Sequence, residues 1–128
     1  MTKIAIVDTS SIIFGFSYKK DVFNSLYERF PDYKPAVSNG VINELARFSL
    51  IKGKKGIAAK IGLLTLKSKN VRVYKNNTSV DSWIIRQAGL DTASIVISND
   101  TALNRILSKR HVPCFKMSKS GMLKRSFG

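Results

Sequence analysis

The side chains in this sequence best suited to chemistry are four carboxylates, Asp8, Glu44, Asp81 and Asp100. They are half of the eight acidic residues in a chain that carries 22 Lys and Arg. Other chemistries are nearly closed to it. His111 is the only histidine, so an acid–base mechanism built on paired histidines is excluded. Cys114 is the only cysteine, which rules out a disulfide within the chain and a Cys-rich metal site. Carboxylate oxygens without thiolate or imidazole partners suit a hard cation, Mg²⁺ or Mn²⁺, with water and a substrate phosphate completing the coordination.

The elements that must carry these acids follow from the apolar patterning. Ile4-Ala5-Ile6-Val7 is a short continuous apolar run, the mark of a strand buried on both faces, and Asp8 closes it. Thr9-Ser10-Ser11 then starts a helix through Ile12, Ile13, Phe14 and Phe16, and a second helix over residues 20–30 is stopped by Pro31. Lys34–Ser38 reads as a strand leading into a helix with Val41, Ile42, Leu45 and Phe48 on one face and Glu44 within it. Lys52–Gly56 reads as a basic, glycine-punctuated loop, followed by a helix with Ile57, Ile61, Leu64 and Leu66 as its apolar positions. Val71–Tyr74 alternates as a half-buried strand. Thr78-Ser79 caps a helix holding Asp81 in its first turn and Trp83, Ile84, Ile85 and Ala88 as apolar residues. Ser94–Ile97 is a fourth strand, Asp100 begins the helix of Leu103, Ile106 and Leu107, and Val112–Phe115 makes a fifth strand.

Strands alternating with helices imply right-handed crossovers and a parallel sheet covered on both faces. The expectation is an α/β, three-layer α/β/α fold around a central parallel sheet of four to five strands, spanning residues 1–117, with a basic tail over 118–128. Ligands of such sheets bind at the carboxyl ends of the strands. Asp8 and Asp100 fall at two such ends, and Glu44 and Asp81 lie on helices entered from two others. Like charges gathered there raise one another's pKa and repel, which a bound cation relieves. Each aspartate also has a bland role, as a helix cap worth about 0.5–2 kcal/mol. The bland role of Glu44 is an i,i+3 pair with Arg47.

A net charge of +14 favours a polyanionic partner. Lys52, Lys54, Lys55, Lys60, Lys67, Lys69, Lys116, Lys119, Lys124 and Arg125 are candidate phosphate contacts, which position a strand without reading its sequence. Tyr18, Tyr74, Phe115 and Phe127 offer rings for stacking, with core packing the expected role for all but Phe127. Lys52–Gly56 lacks the Gly-x-x-x-x-Gly-Lys-Ser/Thr spacing of a phosphate-gripping loop. No apolar run approaches the roughly 20 residues needed to span a bilayer. The first eight residues read as a strand and not as a signal peptide, so the expected address is cytoplasmic.

These segments together resemble the PIN-domain nucleases, and among them small archaeal proteins related to the eukaryotic nuclease that processes small-subunit ribosomal RNA precursors. The likeness runs through Ile4-Ala5-Ile6-Val7-Asp8-Thr9-Ser10, Val37–Leu45, the basic stretch Lys52–Lys60, Val80-Asp81 and Val96–Asp100. It implies a metal-dependent endoribonuclease acting on single-stranded RNA. Asp8, Glu44, Asp81 and Asp100 would be catalytic metal ligands for Mg²⁺ or Mn²⁺, with Thr9, Ser10, Ser82 and Ser98 orienting them. Many relatives carry an acid where this chain has Ser82, and another at Ala102. The roles that the resemblance allows are ribosomal RNA processing, a toxin-type ribonuclease, and a module that binds RNA without cutting it. The protein partners it allows are a second copy of the chain, an antitoxin or a ribosome-assembly factor.

Overall fold

The computed structural model describes residues 3–90 and 94–127. In chain order the elements are β1 (Ile4–Val7), α1 (Thr9–Ser17), α2 (Val22–Arg29), β2 (Lys34–Ser38), α3 (Asn39–Phe48), α4 (Lys54–Ser68), β3 (Arg72–Tyr74), α5 (Val80–Leu90), β4 (Ile95–Ile97), α6 (Thr101–Lys109), β5 (Cys114–Met117) and β6 (Leu123–Arg125). The sheet runs β3-β2-β1-β4-β5-β6, parallel except for β6. The all-apolar strands β1 and β4 sit in the middle, where every residue of both is buried. The short β3, with Val73 exposed, lies at one edge.

Side-chain alternation divides the core into two clusters. Ala5, Val7, Val37, Ile97 and Phe115 pack against α1, α2, α3 and α4, whereas Ile4, Ile6, Ala36, Val96 and Cys114 pack against α5 and α6. The result is the expected three-layer arrangement. Among the described residues, no helix is long and apolar enough to cross a membrane.

Two expectations need correction. The sheet has six strands and not four or five, and it is mixed. Residues 123–125, which fall in the expected basic tail, pair antiparallel with β5 in the register Met117↔Leu123 and Phe115↔Arg125. A tight turn from Ser118 to Met122, with Gly121 at φ +89°, needs no crossover helix and so delivers an antiparallel strand. Burying Leu123 beneath α2 contributes to the same core cluster. Gly128, at the end of that segment, lies outside the described residues.

The second correction concerns α4. It begins at Lys54, so Lys54 and Lys55 are helical and not part of a loop. Its buried residues are Gly56, Ala58, Ala59 and Gly62, while Ile57 is 59% and Leu64 67% exposed. The reason is distance. A Cβ on Gly62 would stand 2.7 Å from Ile12 Cγ2 of α1, with Leu45 of α3 just beyond. Helices that approach this closely select small side chains at the contact, so Ile57, Ile61 and Leu64 are turned outward, while Leu63 and Leu66 pack at the margin of the core.

Candidate active site

The carboxyl end of β1 delivers Asp8 to the sheet rim, where its backbone N–H donates to Ile97 O (2.9 Å) and continues the ladder to β4. The side chain does not cap α1. Instead Asp8 Oδ2 accepts from the hydroxyls of Ser10 (2.7 Å) and Ser98 (2.9 Å). Ser10 Oγ in turn accepts from Asn99 N–H (2.9 Å), and Ser98 Oγ from Asp100 N–H (3.0 Å). Asn99 extends this network to β5, because its Oδ1 accepts from the Ser11 hydroxyl (2.8 Å) and from Met117 N–H (2.9 Å). The ends of β1, β4 and β5 are therefore tied together around one carboxylate.

Asp100 caps a helix and lines the cleft at once. Its Oδ1 accepts from Leu103 N–H (3.2 Å), capping α6, and the residue still faces the cleft. Glu44 comes from α3, and its Oε1 accepts from the Thr9 hydroxyl at 2.8 Å. Arg47 approaches Glu44 Oε2 only to 4.0 Å from an exposed position, so the i,i+3 pair is a weak restraint. Asp81 arrives in the first turn of α5, a helix capped by Ser79, whose Oγ accepts from Ser82 N–H (3.2 Å). Gly40 makes the approach of α5 possible. A Cβ there would fall 3.0 Å from Val80 Cγ2 and 3.3 Å from Ser38 Oγ.

Asp8, Glu44, Asp81 and Asp100 all line one cleft of about 380 Å³, with Thr9, Ser10 and Lys55 beside them. Burial pushes the Asp8 carboxyl above its ordinary range against the pull of its hydroxyl partners, and the Glu44 charge adds to the rise. Asp81 is also raised, first by burial and then by the charges of Asp8, Asp100 and Glu44. The four groups thus share one electrostatic environment. Among the described residues no three acidic, His or Cys side chains are drawn onto a common point, so the carboxylates stand around the cleft. The donor set is oxygen only and suits a hard divalent cation.

Of the residues expected to orient the acids, Thr9, Ser10 and Ser98 bond to carboxylates, but Ser82 does not. Its hydroxyl accepts from the Ser79 hydroxyl (2.9 Å) at the exposed start of α5. Asn99, which joins β4 to β5, was not singled out from sequence; its one signal was a polar residue placed between Ser98 and Asp100.

The basic residues separate. Lys55 reaches the cleft and packs over Phe48, whereas Lys54 and Lys119 meet at Tyr18, at the far end of α1. Lys52 and Lys60 are exposed on and just before α4. Lys124 and Arg125 line a different cleft, shared with Arg29 of α2. Lys69 is engaged with Asp21 at 3.1 Å. Among the rings, Phe115 is core and Tyr74 packs on Trp83, as expected, but Tyr18 is 37% exposed and not in the core.

Comparison with known proteins agrees with this fold. The PIN-like domain family matches residues 5–119. No curated protein matches the chain. The solved structure of the PIN domain endonuclease Utp24 aligns over 97% of this chain and 92% of its own, with a TM-score of 0.77 at 23% identity. A domain of a functionally unknown protein from Methanocaldococcus jannaschii aligns over 91% of both chains, with a TM-score of 0.62 at 18% identity. At such identities these two likenesses speak to fold, and the family match covers nearly the whole sequence. The chain belongs to the PIN-like domain family and carries that family's nuclease fold.

Proposed function

We propose that this protein is a divalent-metal-dependent endoribonuclease that cuts single-stranded RNA. The observation that carries the reading is the convergence of Asp8, Glu44, Asp81 and Asp100, from four separate elements, on one cleft in a protein of net charge +14. Like charges in one cleft are costly unless a cation offsets them, and the neighbouring acids add to the rise that burial first imposes on the Asp8 and Asp81 carboxyls. Mg²⁺ or Mn²⁺ held by these carboxylates would lower the pKa of a water and stabilise the leaving oxygen of the phosphodiester.

The chain's own residues supply positioning. Ser10 and Ser98 fix Asp8 in one orientation, Thr9 fixes Glu44, and the α6 cap fixes Asp100. Lys55 offers a positive charge beside the acids, where an RNA phosphate would lie. Ribosomal RNA processing is the role supported by the resemblance of the Lys52–Lys60 stretch to small archaeal PIN proteins, together with the fold shared with the Utp24 endonuclease.

The test is incubation of labelled single-stranded RNA with purified protein in Mg²⁺ or Mn²⁺, beside Asp8→Asn and a chelator control. Metal-dependent cutting by the wild type alone supports the proposal. Equal cutting by both proteins marks a contaminant, and binding without cutting assigns the module that only holds RNA.

A further inference from the structure

A second groove, of about 520 Å³, shares Ser10, Ile13 and Lys55 with the acid cleft and follows α1 away from it to Phe14, Tyr18 and Lys54. At its far end Tyr18 is 37% exposed, and its ring packs on Phe14 at 5.0 Å between centroids. Two ammonium groups converge on this ring, Lys54 Nζ at 4.6 Å and Lys119 Nζ at 5.5 Å from its centroid. They come from distant elements, the first turn of α4 and the turn between β5 and β6. Among the described residues the ion pairs are Arg47–Glu44 and Lys69–Asp21, so neither lysine is matched by a carboxylate.

This arrangement breaks two local rules. The ring attracts each ammonium singly, but the two cations repel one another with no anion between them. Lysines in the first turn of a helix have the wrong sign for its dipole, and α4 has no acid there to offset Lys54 and Lys55. An RNA strand resolves both, because its phosphates match the lysines and its bases have faces that stack on an exposed ring. The spacing fits as well. Eight residues of helix separate Ser10 from Tyr18, about 12 Å at 1.5 Å per residue, which is no more than about four nucleotides of stacked strand.

We propose that Tyr18, flanked by Lys54 and Lys119, is a base-stacking subsite for single-stranded RNA, holding a nucleotide a few positions from the phosphate bound at the acid cleft. The inference rests on the RNA-cutting function proposed above and gives the strand a direction, along α1. Tyr18 supplies stacking without reading sequence, and the lysines fix the phosphates on either side of the stacked base.

The experiment is fluorescence anisotropy in chelator, which prevents cutting, with a labelled short oligoadenylate and with an oligomer of the same length carrying abasic sugars. Wild type should bind oligoadenylate more tightly than the abasic strand. Tyr18→Leu should weaken oligoadenylate binding roughly 5- to 100-fold and leave abasic binding unchanged, and Tyr18→Phe should retain the preference. Lys54→Gln should weaken both strands and lower the salt slope by about 1. Wild-type binding that Tyr18→Leu leaves intact, or weakens equally for both strands, overturns the stacking subsite while the RNA reading stands. If wild type binds neither strand, the RNA reading fails and the subsite fails with it.

Discussion

The two walls of the acid cleft are built differently. The sheet wall carries Asp8 and Asp100 at the ends of adjacent strands, cross-linked by Ser10, Ser98 and Asn99 and by the ladder bond from Asp8 N–H to Ile97 O. The helical wall carries Glu44, held by one hydroxyl, and Asp81, an exposed residue whose carboxyl is only partly desolvated at the cleft and accepts no side-chain hydrogen bond among the described residues. Backbone pairing makes one wall rigid, while the other depends on how α3 packs on α4 and on the approach of α5 to α3 at Gly40. Carboxylates on the first wall are therefore preorganised, and those on the second can adjust around a cation and its substrate.

The strongest way to break this contrast is to neutralise one acid from each wall. Asp8→Asn keeps an oxygen for the Ser10 and Ser98 hydroxyls and removes only the charge. It should lower metal-dependent RNA cleavage by about 10²-fold or more. Asp81→Asn should lower it by roughly tenfold. Equal losses in a gel-based cleavage assay would mean that the two walls contribute alike.

Packing of the helical wall is tested at α4. Gly62→Ala forces a Cβ against Ile12 and spreads α1 from α4, at a cost of about 1–3 kcal/mol. In a domain of this size that is a drop of several °C in Tm, roughly 3–5 °C per kcal/mol. Leu64→Ser, on the exposed face of the same helix, should stay within about 0.5 kcal/mol. A larger loss at Leu64 than at Gly62 in thermal melts would reject the account of α4.

The electrostatics give a prediction with a definite sign. Burial holds the folded Asp8 carboxyl above its ordinary value of 3.8, and Asp81 is raised too. A carboxyl raised in this way contributes stability below its unfolded pKa and loses it as pH rises through the folded pKa. Measured in chelator, the Tm of Asp8→Asn relative to wild type should therefore grow as pH rises from below about 4 toward 7. Mn²⁺ at neutral pH should close the gap by raising the wild type alone. A gap that shrinks with rising pH would show that the Asp8 charge stabilises the fold.

The smallest effects distinguish the serines. Ser10→Ala removes a donor to Asp8 and the acceptor of Asn99 N–H, costing about 1–2 kcal/mol in melts. Ser82→Ala loses one exposed contact to Ser79 and should change stability by less than about 0.5 kcal/mol and cleavage little. Reversal of that order would move the orienting role back to Ser82.

Legibility in the sequence tracked how local each cause was. β1 and β4 were readable because a strand buried on both faces announces itself as an apolar run. Asp8 and Asp100 followed because a strand end fixes what comes next. The helix of Asp81 was marked by Ser79, its cap. The hydroxyl of Ser82 meets the helix cap at Ser79 although its neighbour Asp81 faces the cleft, a difference that spacing along the chain does not reveal.

What sequence alone determined here is the set of parts: a basic α/β chain with few acids, with Asp8, Asp81 and Asp100 near strand ends or helix starts, where polar groups meet the sheet rim, and Glu44 within a helix. Tertiary structure decided which surfaces those parts present. Side-chain size suggested the wrong buried residues at Ile57, Ile61 and Leu64 of α4, though not at Leu66, since close approach to Ile12 and Leu45 rewards glycine and alanine over isoleucine and leucine. It also turned part of an expected tail into β6 and brought Lys119 to Tyr18, because a strand pairs wherever an open sheet edge and a tight turn allow, and neither is visible along the chain.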